Sequence, residues 1–433
     1  MTRKTIVKKS KLLDNKDVSF EYKMLKKHTY IDLFAGCGGI SLGLFHAGWH
    51  GLFAIEKDKM AFGTLQKNLI LKKDHFNWPM WLPQTEHDIK EVMKNYRSEL
   101  ENIKGKVDLV VGGPPCQGFS MAGKRNEGDK RNKLIDAYVE FIEIVKPKML
   151  FFENVKGFTI GFKKDATKED TRGKAYSNYV TKALKKLGYN VEAKILDFSE
   201  YGIPQRRKRF ILVGVLEGDA KTFFSILEQD RKGFLQKKGL KQKNTIKGAI
   251  SDLHQKNGDI DSPDSKNFLA GTYSRTKSNY QKLMRKEEAP KIPDSHRFTN
   301  HGDETVTLFK LLLKKAERSK RIDGDERKKY GLKKRGMTVL GENDPSPTLT
   351  THPDDYLHYL EPRILTVREY ARIQSFPDWY EITGKYTTGG KQRVKEVPRY
   401  TQLGNAIPPL FGEQVGLALR KTSAYGKKHT IQN

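Results

Sequence analysis

Two cysteines in 433 residues, Cys37 and Cys116, are too few for a disulfide framework or a cysteine-rich zinc site, and no metal is expected. No run approaches the roughly 20 consecutive apolar residues that cross a bilayer. The first twenty residues alternate charged and apolar positions and hold no signal-peptide core. A soluble, cytoplasmic chain with no membrane partner is therefore expected. Acid is also scarce. Asp and Glu number 52 against 81 Lys and Arg, a formal charge of +29. An excess of that size points to a polyanionic partner, of which nucleic acid is the commonest, or simply to solubility in a lysine-rich chain. No repeat period is visible, and a hydrophobic fraction of 36% supports a real core.

What is present falls into an order along the chain. Residues 1–27 are polar and basic and read as a short arm. From Tyr30 the pattern runs strand, glycine-rich turn, helix. Apolar runs follow at 52–55, 107–111, 148–152, 191–196 and 210–215, with helical patterns such as 134–145 and 176–187 between several of them. Strands alternating with helices imply an α/β fold, a mostly parallel sheet covered on both faces. After Val215 the character changes. Residues 231–243 carry six basic residues and no acidic one, and 310–335 is again rich in Lys and Arg. The region from about 219 to 380 reads as a separate basic domain.

Four motifs carry chemistry. In the first, Ile31-Asp32-Leu33-Phe34-Ala35-Gly36-Cys37-Gly38-Gly39, a strand enters a turn whose glycines let backbone approach a ligand, and Glu56 ends the next strand twenty residues after Gly36. An acid there grips ribose hydroxyls in nucleotide-binding folds. Asp88-Ile89 is expected to end a third strand and meet an adenine amino group. A plain tight loop is the alternative. In the second, Gly112-Gly113-Pro114-Pro115-Cys116-Gln117-Gly118-Phe119-Ser120, a strand delivers a cysteine to its carboxyl end, where open α/β sheets place chemistry. A buried cysteine is more often packing than nucleophile, and Cys37 reads that way or as a wall of the cofactor site. In the third, Phe151-Phe152-Glu153-Asn154-Val155, a carboxylate ends an apolar strand. Burial raises its pKa and suits it to general acid work, unless it is a helix cap. In the fourth, Gln205-Arg206-Arg207-Lys208-Arg209, alternation puts Arg207 and Arg209 on one face, unless the run is a solvated turn.

Together these residues resemble the DNA cytosine-5 methyltransferase family. The resemblance covers Tyr30 to about Val215 and about Pro345 to Gly416. It includes the segments Arg363–Glu369, Gln374–Pro377 and Gln402–Pro409 near the C-terminus. It implies a Rossmann-like S-adenosyl-L-methionine-dependent sheet with a smaller inserted target-recognition domain. The expected division is an arm 1–27, a catalytic domain 28–218, a recognition domain 219–380, a hinge 381–399 and a segment 400–433 completing the catalytic domain. Cys116 would be the nucleophile and Glu153 would engage cytosine N3 and N4. Arg207 and Arg209 would sit near cytosine O2. Phe34, Gly36, Gly38, Glu56, Asp88, Ile89, Pro115, Leu134 and Asn405 would line the cofactor site, with S-adenosyl-L-homocysteine as product. The loop Ser120–Asn132 would close over the DNA. The resemblance further implies a double-stranded DNA substrate with base flipping, and a monomeric modification enzyme of a restriction-modification system. A cognate endonuclease would act on the same site without stable complex. Three rival readings meet particular residues. An RNA cytosine-5 methyltransferase of the two-cysteine type has a cysteine where this chain has Glu-Asn-Val. A tRNA-acting relative carries a Cys-Phe-Thr insertion absent here. A silent DNA-binding relative loses the Pro-Cys or Glu-Asn-Val residues, and both stand intact.

Overall fold

The computed structural model describes residues 28–115, 133–160, 175–287, 289–332, 336–389, 392 and 395–430. Its centre is a six-stranded sheet. The strands are β1 (Thr29–Leu33), β2 (His50–Ile55), β3 (Leu109–Gly112), β4 (Met149–Val155), β5 (Asn190–Asp197) and β6 (Lys208–Val215), in the order β2-β1-β3-β4-β6-β5. β2, β1, β3 and β4 pair in parallel, and β6 is antiparallel to both of its neighbours. Five strands thus share one direction and β6 opposes them.

Alternation of side chains builds two cores, one on each face. Tyr30, Val111, Phe151 and Val213 face one side, under the helices Gly39–His46, Lys221–Lys237 and Pro409–Thr430. Ile31, Leu33, Val110, Phe152 and Leu212 face the other, under Ile89–Asn95, Lys133–Val145 and Tyr176–Lys186. The last long helix lies against the first because both present glycine where they cross. A Cβ on Gly43 would come within 2.6 Å of the Gly412 and Glu413 backbone. Trp49 Nε1 then donates to the Gly416 carbonyl at 2.9 Å. The end of the chain is therefore built into the first βα unit.

The expected start of the basic domain at 219 falls at the head of the helix Lys221–Lys237. Its Phe223, Phe224, Ile226, Leu227 and Leu235 share the core of the sheet. Beyond it the chain forms the hairpin Asp259–Asp261 with Leu269–Gly271, then a three-stranded sheet of Arg321–Ile322, Met337–Val339 and Tyr356–Leu357. A small core of Phe309, Leu312, Ile322, Met337, Val339 and Leu357 supports that sheet. Among the described residues no helix is long and apolar enough to cross a membrane.

Two buried histidines set an expected pH dependence. His75 meets the Tyr30 hydroxyl at 2.8 Å, and His296 lies between Thr366 Oγ1 and the Leu253 carbonyl, each at 2.8 Å. Burial pushes His75 down to about 3 and His296 down to about 4. An unfolded histidine takes its proton near pH 6.5, whereas the native ones resist it to these lower values. Their stabilisation is complete above pH 6.5 and is lost as pH falls, by about 1.4 kcal/mol per unit for each histidine. The thermal midpoint should fall between pH 7 and 5, less steeply in His296→Gln. Equal slopes for the two proteins would count against the account.

Candidate active site

Because the parallel strands end on one edge, their carboxyl ends collect the motifs. β1 runs into a turn in which Phe34, Gly36 and Gly38 have φ of 57°, 56° and 83°, left-handed values that favour glycine. Glu56 follows β2 and braces this turn. Its Oε2 accepts from Gly36 N at 2.9 Å and its Oε1 from Asp58 N at 2.8 Å. Burial raises the Glu56 pKa while these N–H bonds oppose the rise. The two glycines differ. A Cβ at Gly36 would meet nothing within 4 Å, whereas one at Gly38 would meet the Tyr380 hydroxyl at 2.7 Å. Gly36 opens the turn outward, and Gly38 lets another segment approach it. Phe34 is half-buried against the second core.

Asp88-Ile89 does not end a strand. Asp88 caps the helix Ile89–Asn95, accepting from Lys90 N at 2.9 Å. Its other oxygen pairs with Lys57 Nζ at 2.7 Å. Burial opposes ionisation of Asp88, but Lys57 and the cap hold its carboxyl below the usual value. The Ile89 side chain is buried in the core. Leu134 is half-buried at the start of its helix. Asn405 is exposed at the last position of the helix Arg399–Asn405.

β3 leads to Gly113, Pro114 and the exposed Pro115. Cys116 and the loop Ser120–Asn132 lie outside the described residues. Beside this exit stands Glu153 in β4. A Cβ on Gly113 would sit 3.1 Å from Glu153 Oε2, so the glycine leaves room for the carboxyl group. Running against its neighbours, β6 begins where they end, which brings the basic motif to the same edge. Val155 faces Arg209 in the register. Arg209 Nε reaches Glu153 Oε1 at 2.8 Å. Burial raises the Glu153 pKa, and Arg209 and Arg207 hold back part of the rise.

Arg207 is buried rather than part of a solvated turn. Its guanidinium donates to the carbonyls of Gly404 at 2.9 Å and Leu349 at 3.3 Å. It supports Glu153 electrostatically and ties the C-terminal segments to β6. Cys37 is buried, its thiol 3.7 Å from the Gln402 carbonyl, and burial pushes its pKa up to about 12. No thiolate forms there at neutral pH.

Sequence reasoning gave no role to several residues that hold the site. Buried Asn154 donates to the Pro114 carbonyl at 3.4 Å, anchoring the loop that leads to Cys116. Gln205 bonds Gln374 Oε1 at 2.8 Å and accepts from Leu349 N at 2.9 Å. Gln374 in turn donates to the Leu403 carbonyl. Arg372, wholly buried, pairs with both Asp252 and Asp378. Among the described residues no cluster of three or more His, Cys, Asp or Glu is arranged to hold a metal ion.

The sequence matches the family model described as C-5 cytosine-specific DNA methylase over residues 28–421. It is 31% identical over 399 residues to the Type II methyltransferase M.DdeI of Desulfomicrobium norvegicum, covering 88% of this chain and 86% of that one. It is 30% identical over 403 residues to the Type II methyltransferase M1.HphI of Haemophilus parahaemolyticus, covering 91% and 87%. A solved structure described as a DNA modification methyltransferase encoded within a prophage of E. coli superposes with a TM-score of 0.60 at 23% identity. That match covers 92% of this chain and 100% of the other, and shows the same fold. With the motifs in order on one sheet edge and the family model spanning nearly the whole chain, the protein belongs to the C-5 cytosine-specific DNA methylases and is a DNA (cytosine-5-)-methyltransferase.

Proposed function

We propose that the protein methylates C5 of a cytosine flipped out of a specific double-stranded DNA sequence, with S-adenosyl-L-methionine as donor and Cys116 bonded covalently to C6. The observation that carries this reading is the Glu153–Arg209 pair at the mouth of the Gly113–Pro115 loop that delivers Cys116. Cytosine C5 is a poor nucleophile. Addition of the Cys116 thiolate to C6 gives C5 enamine character, and Glu153 answers the charge developing at N3 by a proton or hydrogen bond. Arg209 and the more distant Arg207 stabilise that charge and favour the thiolate. Loss of the C5 proton then breaks the bond from Cys116 to C6. A stacked base offers neither C6 nor C5 to such groups, so the base must leave the duplex.

The residues at the first two strand ends fit a nucleoside cofactor. The turn is open at Gly36, where a Cβ would meet nothing within 4 Å. Each Glu56 oxygen accepts one backbone N–H and keeps a lone pair for a ribose hydroxyl. Phe34, Glu56, Gly36 and the Asp88–Ile89 backbone would hold the nucleoside, with Pro115, Leu134 and Asn405 toward the methionine end. S-adenosyl-L-methionine supplies the methyl group there. The region between the helix Lys221–Lys237 and about residue 380 serves as the target-recognition part. Its exposed lysines and arginines hold phosphates, with 381–399 as hinge; the expected arm, 1–27, lies outside the described residues.

The relatives' Type II names support a modification role; this chain would act in the cytoplasm as a monomer, and a cognate restriction endonuclease would act on the same site without stable complex. Bisulfite sequencing of DNA from cells expressing the protein should show one sequence context fully converted to 5-methylcytosine. Genomic DNA unmodified in every context, with the protein present and folded, would refute the proposal.

A further inference from the structure

The turn Phe34–Gly38 places three left-handed residues within five, one of them not a glycine. Such backbone persists only where its surroundings over-determine it. Local ties are few: Gly38 N to the Ala35 carbonyl at 2.9 Å, Ala35 N to the Ile55 carbonyl at 3.1 Å, and Gly36 N to Glu56. Two more come from the far end of the chain, and both fall on Cys37. The Tyr380 hydroxyl donates to the Cys37 carbonyl at 2.6 Å, and the Cys37 thiol donates to the Gln402 carbonyl at 3.7 Å. The hydroxyl also occupies the place a Gly38 side chain would take.

Tyr380 is itself held rigidly. It is wholly buried, and its carbonyl accepts from Arg368 Nη2 at 2.8 Å. Arg368 Nη1 also reaches the Pro377 carbonyl at 3.2 Å, and Arg372 pairs with Asp378 between them. A segment clamped at 377, 378 and 380 thus presents one hydroxyl to the glycine turn.

We propose that Tyr380 is a positioning residue for cofactor binding, its hydroxyl fixing the Cys37 carbonyl and with it the shape of the Phe34–Gly38 turn. The proposal rests on reading that turn as the cofactor site. Tyr380 touches no reacting atom, so its effect should appear in cofactor affinity and not in the chemical step.

The test uses the full-length protein. Tyr380→Phe keeps the ring and deletes the hydroxyl. Calorimetric titration with S-adenosyl-L-homocysteine should show binding about tenfold weaker, the scale of one buried hydrogen bond lost. The KM for S-adenosyl-L-methionine should rise in the same proportion, with kcat at saturating cofactor within about twofold of wild type. Gly38→Ala should weaken binding as well. Glu56→Ala serves as the control for the site. If Glu56→Ala weakens binding while Tyr380→Phe leaves it within twofold, the positioning role is wrong. If Tyr380→Phe lowers kcat as much as affinity, the residue is generally structural and the proposal fails. If neither Glu56→Ala nor Tyr380→Phe alters binding, the turn is not the cofactor site and both readings fall.

Discussion

Cys116→Ala should lower methyl transfer by about 10⁴-fold or more, the scale on which loss of an activated nucleophile acts, while DNA and cofactor still bind. The argument is one of elimination and placement. The chain has two thiols. Cys37 is buried in the first core, directed at a backbone carbonyl and pushed up to about 12 by burial. Cys116 directly follows the exposed Pro115 in sequence, and the chain that leads to it from β3 passes the arginine-paired carboxyl group of Glu153 at Gly113. DNA with 5-fluorocytosine in the target sequence discriminates the two thiols. Fluorine cannot leave C5 as a proton does, so the enzyme remains bonded to C6. A denaturation-resistant adduct is expected with wild type and with Cys37→Ser, which keeps a donor for Gln402. It should be missing with Cys116→Ala, and an adduct that survives that change would overturn the assignment.

How much of this could be read from the sequence depends on how local each signal is. The six strands and the helices Lys133–Val145 and Tyr176–Lys186 follow from short apolar patterns, and the motifs at their ends were legible with them. Asp88 was misplaced at a strand end although the local signal was there. An aspartate with Glu91 three residues later, before buried Val92 and Met93, is the mark of a helix start. The ties that shape the site were not legible. Gln205 meets Gln374, Tyr380 meets Cys37 and Arg372 meets Asp252, pairs separated by 169, 343 and 120 positions. In a chain with a net charge of +29, a reader assigns arginines to the surface or to DNA. Here Arg207, Arg368 and Arg372 are buried, joining segments that the sheet brings together. Only the folded topology reveals that use. The helix Lys221–Lys237, at the head of the region read as basic, is bound to the sheet by its five core residues.

Glu153→Gln should slow the chemical step by about 10²–10⁴-fold, the usual worth of a positioned general acid, in single turnovers at saturating DNA and cofactor. Glutamine keeps the shape and a hydrogen bond but can neither deliver a proton nor carry the countercharge. Glu153 and Arg209 form a close pair, with side chains about one-tenth exposed, so either change also leaves the other partner unmatched. That shared cost must be separated from catalysis. If Glu153 served only to hold Arg209, then Arg209→Ala would slow the reaction at least as much, and the double variant would be no worse than Arg209→Ala alone. If Glu153 engages N3 itself, Glu153→Gln must be the more damaging single change, and the double variant worse than Arg209→Ala. The pH profile gives an independent sign. Arg209 lowers the Glu153 pKa against the rise caused by burial, so its removal lets that pKa climb. A step that needs the protonated acid should then persist to higher pH in Arg209→Ala than in wild type. A profile that stays in place, or moves to lower pH, would mean that Glu153 is not the acid.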